Sequence, residues 1–277
     1  VSGFPAQWLA LREPLDARSR ASTLIASLVE SHGAGQPRES PLEVIDLGAG
    51  TGANLRYAAP RLGGSQHWLL VERDPVLLAA IPAQMPAASG CDCRVETLEL
   101  DLATQLEQLP LAPASLLTAS ALLDLASEEW LGRLLRRAAG ASATVWFALT
   151  YDGRMQFEPA EPEDHEVREL FNRHQRGDKG FGPALGPAAA PTAARLLAQH
   201  GYHIESAPSD WHIRSEQSAL QQSLLEGWFS AACEIAPDRA GVLRGWLARR
   251  LAHLRSARSK LEVGHIDMIG RPHANGA

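Results

Sequence analysis

Val44-Ile45-Asp46-Leu47-Gly48-Ala49-Gly50-Thr51-Gly52-Ala53-Asn54-Leu55 is the stretch on which the reading of this chain turns. It begins as a short, branched, apolar run, the composition of a buried β-strand. Three glycines at alternate positions follow, and Asn54 then opens a helical pattern that Gly63-Gly64 closes. A strand that turns through glycines into a helix gathers free N–H groups and the positive end of the helix dipole at one point. A carboxylate or a phosphate can settle there.

The alternation continues on the C-terminal side. Trp68-Leu69-Leu70-Val71 predicts a second strand ending at Glu72, Cys93 to Leu98 a third, Ser115 to Ala119 a fourth and Ala143 to Leu149 a fifth. Pro75 suits the first turn of a helix, and Ser127, ahead of Glu129 and Trp130, suits the N-cap of another. A helix over Pro191 to His200, a sixth strand over Tyr202 to Ser206 and a seventh over Val263 to Ile269 complete the pattern. Continuously apolar strands spaced by helices predict an α/β fold with a seven-stranded, mostly parallel, doubly wound sheet. Such sheets hold ligands at the C-terminal strand ends, where strand order reverses.

Within a ligand-binding domain over 41–270, two insertions are expected, and a helical cap precedes it. Residues 1–40 form that cap, with apolar spacing in Trp8, Leu9 and Leu11 and again in Leu24, Ile25, Leu28 and Val29, the runs parted by Pro14. Residues 152–187 are rich in Pro and Gly without a period, and predict an acceptor loop with at most short helices. Residues 216–258 predict a helical pair broken at Pro237, and 271–277 a flexible tail.

The 277 residues are 45% hydrophobic and carry a formal net charge of −6, which fits a globular protein and argues against a general nucleic-acid coat. Cys91, Cys93 and Cys233 give neither a disulfide framework nor a zinc spacing, so reduced thiols and no metal are expected. No apolar run reaches the roughly 20 residues of a membrane helix, and no signal peptide is evident at the start. A cytoplasmic protein without a membrane partner is the expectation.

Two ligand fingerprints overlap in the glycine turn. Gly48, Gly50 and Ala53 satisfy the dinucleotide pattern, whereas Asp46, Gly48, Gly50 and Gly52 satisfy the S-adenosylmethionine (SAM) pattern of an acid two positions before GxGxG. A carboxylate at the end of a buried strand needs a partner. The SAM ammonium supplies one; a pyrophosphate would be repelled. Charge therefore favours SAM over a nicotinamide dinucleotide. Glu72, about 20 residues beyond the glycines, suits ribose hydroxyls in either case.

On these residues the chain resembles the class I SAM-dependent methyltransferase family, over roughly 42–150 and more loosely 188–270. The resemblance implies that Asp46, Gly48 and Gly50 hold the methionine end, with Ala49, Asn54 and Leu102 also in the cofactor-binding set. It implies Glu72 at the ribose, Arg73 beside the adenosine and Asp101 at the adenine amino group, although Asp101 could equally cap a helix. Ser120 would lie where the methyl is transferred and S-adenosylhomocysteine is left behind.

Methyl transfer from a sulfonium needs positioning and water exclusion, with a base optional. The fourth-strand exit Thr118-Ala119-Ser120-Ala121-Leu122-Leu123-Asp124-Leu125 departs from the Asn/Asp-Pro-Pro-aromatic motif of enzymes that methylate exocyclic base amines. Asp124 could orient or deprotonate an acceptor, or cap the next helix. The stretch Phe171 to Pro183 offers Arg173, Arg176 and Lys179 as acceptor ligands and His174 as a general base. Trp211 and His265 are further pocket candidates, with core packing as their alternative. The basic run Arg239, Arg244, Arg249, Arg250, Arg255, Arg258 and Lys260 is either a solvated face or a site for a carboxylate, phosphate or RNA. The resulting expectation is methyl transfer to a small, anionic acceptor. A SAM-binding sensor or partner protein without turnover, an RNA methyltransferase and a nicotinamide oxidoreductase stay open.

Overall fold

The computed structural model describes residues 5–31, 40–81, 91–113 and 115–273. The chain opens with α1 (Ala6–Ser19) and α2 (Ser22–Ser31), then enters β1 (Leu42–Leu47), α3 (Ala53–Leu62) and β2 (Gly64–Glu72). The short α4 (Pro75–Ala79), β3 (Cys91–Glu99), α5 (Leu102–Gln105) and β4 (Leu116–Ser120) follow. Next come α6 (Glu128–Gly140), β5 (Thr144–Glu158), α7 (Asp164–Gln175) and α8 (Ala189–Gln199). The chain finishes with β6 (Tyr202–Pro208), β7 (Trp211–Ile213), α9 (Ser218–Ile235), α10 (Ala240–Arg255) and β8 (Lys260–Pro272).

The strands form one sheet in the order β3-β2-β1-β4-β5-β8-β6, with β7 pairing the far end of β8. Strands β1 to β5 are parallel, and β8 is antiparallel to β5, β6 and β7. Strand order reverses between β1 and β4, so the crevice of this topology opens at their C-terminal ends. Side chains alternate across the sheet. Ile45, Leu47, Leu117, Ala119, Val145 and Phe147 pack under α6 and α8. Val44, Leu116, Trp146 and Ala148 pack under α2 and α3 on the other face. Asp46 has the parity of Val44 and so looks toward α3.

Three expectations are corrected. First, 152–187 is not a loop: β5 runs on to Glu158, paired with β8 at Met155↔Val263 and Phe157↔Leu261, and the twelve-residue α7 follows. The strand's partner lies a hundred residues further along, and α7 buries only Val167, Leu170 and Asn172 among charged neighbours, so no local period betrayed either element. Second, α1 runs through Pro14; the chain breaks instead at Arg20, whose extended backbone separates α1 from α2. Third, β7 adds an eighth strand, and Arg271 and Pro272 belong to β8 rather than to a tail, while 274–277 lie outside the described residues.

A third apolar cluster sits beyond the sheet end, where Tyr151, Met155, Leu261 and Val263 meet α7, α9 and α10. The fully buried Arg250 fastens it. Its Nε donates to Asp164 Oδ1 at 3.0 Å, its Nη2 to Asp164 Oδ2 and its Nη1 to the Pro159 carbonyl at 2.6 Å, while Trp246 Nε1 donates to Asp164 Oδ1 at 2.8 Å. Arg249 pairs with Glu161 and Glu163, and Arg239 with Glu166. Three arginines of the basic run are therefore neutralised by the segment that leads into and opens α7. Their structural role removes them from the anionic-partner reading.

Candidate active site

Asp46, the penultimate residue of β1, is almost wholly buried. Asn54 reaches down from the first turn of α3, and its Nδ2 donates to Asp46 Oδ1 at 2.8 Å and to Thr118 Oγ1 at 3.0 Å. Asp46 Oδ2 has no hydrogen-bond partner. Burial raises the carboxyl to about 7, against the opposing pull of the Asn54 bond and the Arg20 charge. A strand-end acid with an unanswered oxygen is the kind of group that a cationic ligand completes.

The glycines beside it are required by geometry. Gly48 and Gly50 have φ of +63° and +55°. A Cβ on Gly48 would stand 3.3 Å from Leu122 Cδ1, and one on Gly50 would stand 3.0 Å from Leu9 Cδ1. Glu72, ending β2, accepts from Gly50 N through Oε2 at 3.1 Å and from Arg73 N and Asp74 N through Oε1 at 2.8 and 3.1 Å. It thereby ties the glycine turn to the next strand, with lone pairs left for hydroxyl donors.

Two contiguous cavities cover this floor. One, about 190 Å³, is lined by Asp46, Gly48, Ala49, Gly50 and Asn54 from β1, the glycine turn and α3, and by Arg12, Asp16 and Arg20 from the N-terminal segment. The other, about 290 Å³, is lined by Glu72, Arg73, Asp101 and Leu102 on one side and by Leu122, Leu125, Lys179 and Phe181 on the other. Leu9, Arg12, Gly48, Gly50 and Ser120 border both. Every residue expected to bind the cofactor thus lines one cavity or the other. Asp101 is also the N-cap of α5, its Oδ1 accepting from Ala103 N at 3.0 Å, so the helix-cap reading is met while the side chain still borders the cavity.

The roof is α1. Glu13 grips Arg56 of α3 through both carboxylate oxygens at 2.6 Å, and Arg56 Nη1 donates to the Thr51 carbonyl at 2.6 Å. At the α1–α2 corner, Asp267 of β8 accepts from Ala21 N at 3.0 Å and from Leu149 N at 2.8 Å. This anchors Arg20, whose Nη2 donates to Asn54 Oδ1 at 3.1 Å and Ser120 Oγ at 2.9 Å. The Tyr57 and Trp146 rings flank its guanidinium at 5.1 and 5.3 Å.

No protein-family profile matches the sequence, and no curated protein matches it. Among solved structures, the YcgJ protein from Bacillus subtilis aligns over 92% of this chain and 100% of its own, at 11% identity and a TM-score of 0.50. The mycolic acid cyclopropane synthase CmaA1 complexed with SAH and CTAB aligns over 90% and 83%, at 13% identity and a TM-score of 0.48. An arsenic(III) SAM methyltransferase from Chlamydomonas reinhardtii aligns over 99% and 76%, at 14% identity and a TM-score of 0.45. The chain has a Rossmann-like fold.

On this fold the residues expected at an acceptor separate into two groups. Asp124 lines neither cavity itself but lies in a buried turn between Leu122 and Leu125 of the cavity wall, with Oδ1 unpartnered. Burial raises it to about 6, and the charges of Arg12 and Lys179 oppose the rise. Lys179 reaches the wall; its Nζ donates to His174 Nδ1 at 3.3 Å. His174 itself stands behind, its Nε2 at 3.1 Å from Glu234 on α9, and it lines neither cavity. Arg173 and Arg176 are exposed at the end of α7 and also stay outside. Trp211 is buried under Arg12, whose guanidinium lies 5.4 Å from the ring, so it supports a wall residue rather than forming the wall. His265 packs 4.8 Å from Trp211, and burial lowers it to about 3.

Arg12, Arg20, Leu9 and Thr118 escaped the sequence analysis. Leu9 and Arg12 sit on α1, whose apolar spacing signals only packing, Arg20 sits at the break between α1 and α2, and nothing local says that this segment crosses the glycine turn. Among the described residues no helix is long and apolar enough to cross a membrane, and no group of metal-ligating side chains is assembled.

Proposed function

We propose that this protein is a SAM-dependent methyltransferase that acts on a small molecule with an anionic group. One observation carries the reading: the buried Asp46 carboxyl, with one oxygen unanswered, beside the Gly48-Ala49-Gly50 turn. The residues present fit the cofactor. Asp46 would hold the ammonium, the glycine turn would admit the methionyl chain, Glu72 would take the ribose, and Asp101 with Leu102 would flank the adenine. A dinucleotide would bring its diphosphate against Asp46 and lose energy there.

Bound SAM supplies an electrophilic methyl group. The chain supplies the surroundings. Leu9 and α1 would exclude water from above, while Leu122, Leu125 and Phe181 give the cavity an apolar wall opposite Glu72 and Asp101. Arg12 and Lys179 would offer positive charge to an acceptor carboxylate or phosphate, and Asp124, in the buried turn between the wall residues Leu122 and Leu125, would take a proton from the attacking atom. Incubation with methyl-labelled SAM and a set of small carboxylates and phosphates is expected to yield a labelled product. Tight SAM binding with no label in any small molecule, RNA or protein would leave only the sensor reading.

A further inference from the structure

The methionyl cavity contains more unanswered polarity than Asp46. Arg20 is more than nine-tenths buried, and its Nε and Nη1 have no hydrogen-bond partner. Buried donors without partners are costly to the fold. The side chain is nonetheless held in place, by two bonds from Nη2, by two aromatic rings and by the Asp267 anchor at the preceding corner. It does not serve as the counter-ion of Asp46. Asn54 stands between them, accepting from Arg20 Nη2 and donating to Asp46 Oδ1, and Asp46 Oδ2 stays open. Asp16, the cavity's other buried acid, is already paired through Oδ2 with Arg12 at 2.7 Å, so Asp46 and Arg20 are left as an anion and a cation without a charged partner of their own, each with unused hydrogen-bonding capacity.

We propose that Arg20 is the carboxylate clamp opposite Asp46, so that the cavity under α1 receives an α-amino-acid zwitterion, ammonium on Asp46 and carboxylate on Arg20. The proposal rests on the SAM reading, in which the methionyl end is that zwitterion. It makes the N-terminal segment part of the cofactor site, since the guanidinium enters only when the α1–α2 corner is docked on β8 and β5.

Three nucleosides test it by calorimetry. S-adenosylhomocysteine carries both charges, 5′-(3-aminopropylthio)-5′-deoxyadenosine keeps the ammonium without the carboxylate, and 5′-methylthioadenosine has neither. The wild-type protein is expected to prefer the first over the second by on the order of ten- to a hundred-fold, the worth of charge-assisted hydrogen bonds. Arg20→Gln should remove that preference and leave the affinities for the other two unchanged, and Arg20→Lys should restore part of it. Equal weakening of all three ligands by Arg20→Gln would make Arg20 a structural residue and overturn the proposal. So would a wild-type protein indifferent to the carboxylate, a comparison that needs no variant to fold. Failure of the wild type to bind any of the three would instead fell the SAM reading, and this proposal with it.

Discussion

Asp46 is where the pH dependence of this protein begins. Its folded value of about 7 stands above the ordinary 3.8, so the folded state holds the proton more tightly than the unfolded one. The ligand-free protein therefore loses stability through Asp46 as pH rises from about 4 to about 7. Asp46→Asn removes this dependence, and its melting temperature should gain on the wild type more at pH 8 than at pH 5. The ammonium of SAM requires the ionised form, so SAM affinity should fall about tenfold per pH unit below pH 7 in the wild type. In Asp46→Asn binding should be lost. A flat calorimetric profile between pH 5 and 8 would show that this carboxyl does not meet the ligand. Asp124, raised to about 6, predicts a second limb, with kcat/KM rising through pH 6 as the base ionises. Asp124→Asn should abolish turnover while leaving SAM binding intact; a fully active variant would assign Asp124 to packing.

At the scale of elements, α1 acts as the fastening of the cleft. The Glu13–Arg56 pair is about a third exposed on both sides, so solvent screens it and it is worth at most about 1 kcal/mol. Glu13→Ala should therefore weaken SAM two- to five-fold by about that energy, mainly through faster dissociation, and raise amide exchange over α1. Unchanged dissociation would mean that α1 does not cover the ligand. The α7–α10 clamp is a different case. Arg250 is fully buried, and removing one partner of a buried pair costs about 3–5 kcal/mol. Arg250→Ala should lower the melting temperature by roughly 6–20 °C. SAM affinity should be unaltered, because neither cavity touches α7 or α10. The length of β5 and the presence of α7 were hidden from sequence reading for the same reason. Their stabilising partners, β8 and the Arg250 clamp, arrive only in the last part of the chain.

For the whole molecule, the decisive expectation is selectivity between nucleotide ligands. SAM at about 100 times its dissociation constant should stabilise the fold by about 2.7 kcal/mol, and NAD and NADP should give no shift. A thermal shift with the dinucleotides and none with SAM would reverse the cofactor assignment. The topology makes this test meaningful. A sheet reversing between β1 and β4 has one crevice at its C-terminal edge, and the glycine turn, Glu72, Asp101 and Ser120 all stand along it.

The floor of the candidate site was legible as a place in the fold because its logic is local: Asp46, the three glycines and Asn54 lie within one strand–turn–helix, and the spacing of Glu72 follows from the next strand. The alternation of apolar strands and helices fixed the layers in the same way. The roof and the acceptor wall were not legible. Arg20, Arg12 and Leu9 gain meaning only when α1 folds across the turn, and His174 loses its place when α7 carries it behind Lys179. Local hydrogen bonding and side-chain alternation are written in neighbouring residues, whereas the charges that close a buried cavity are brought together by packing between distant ones.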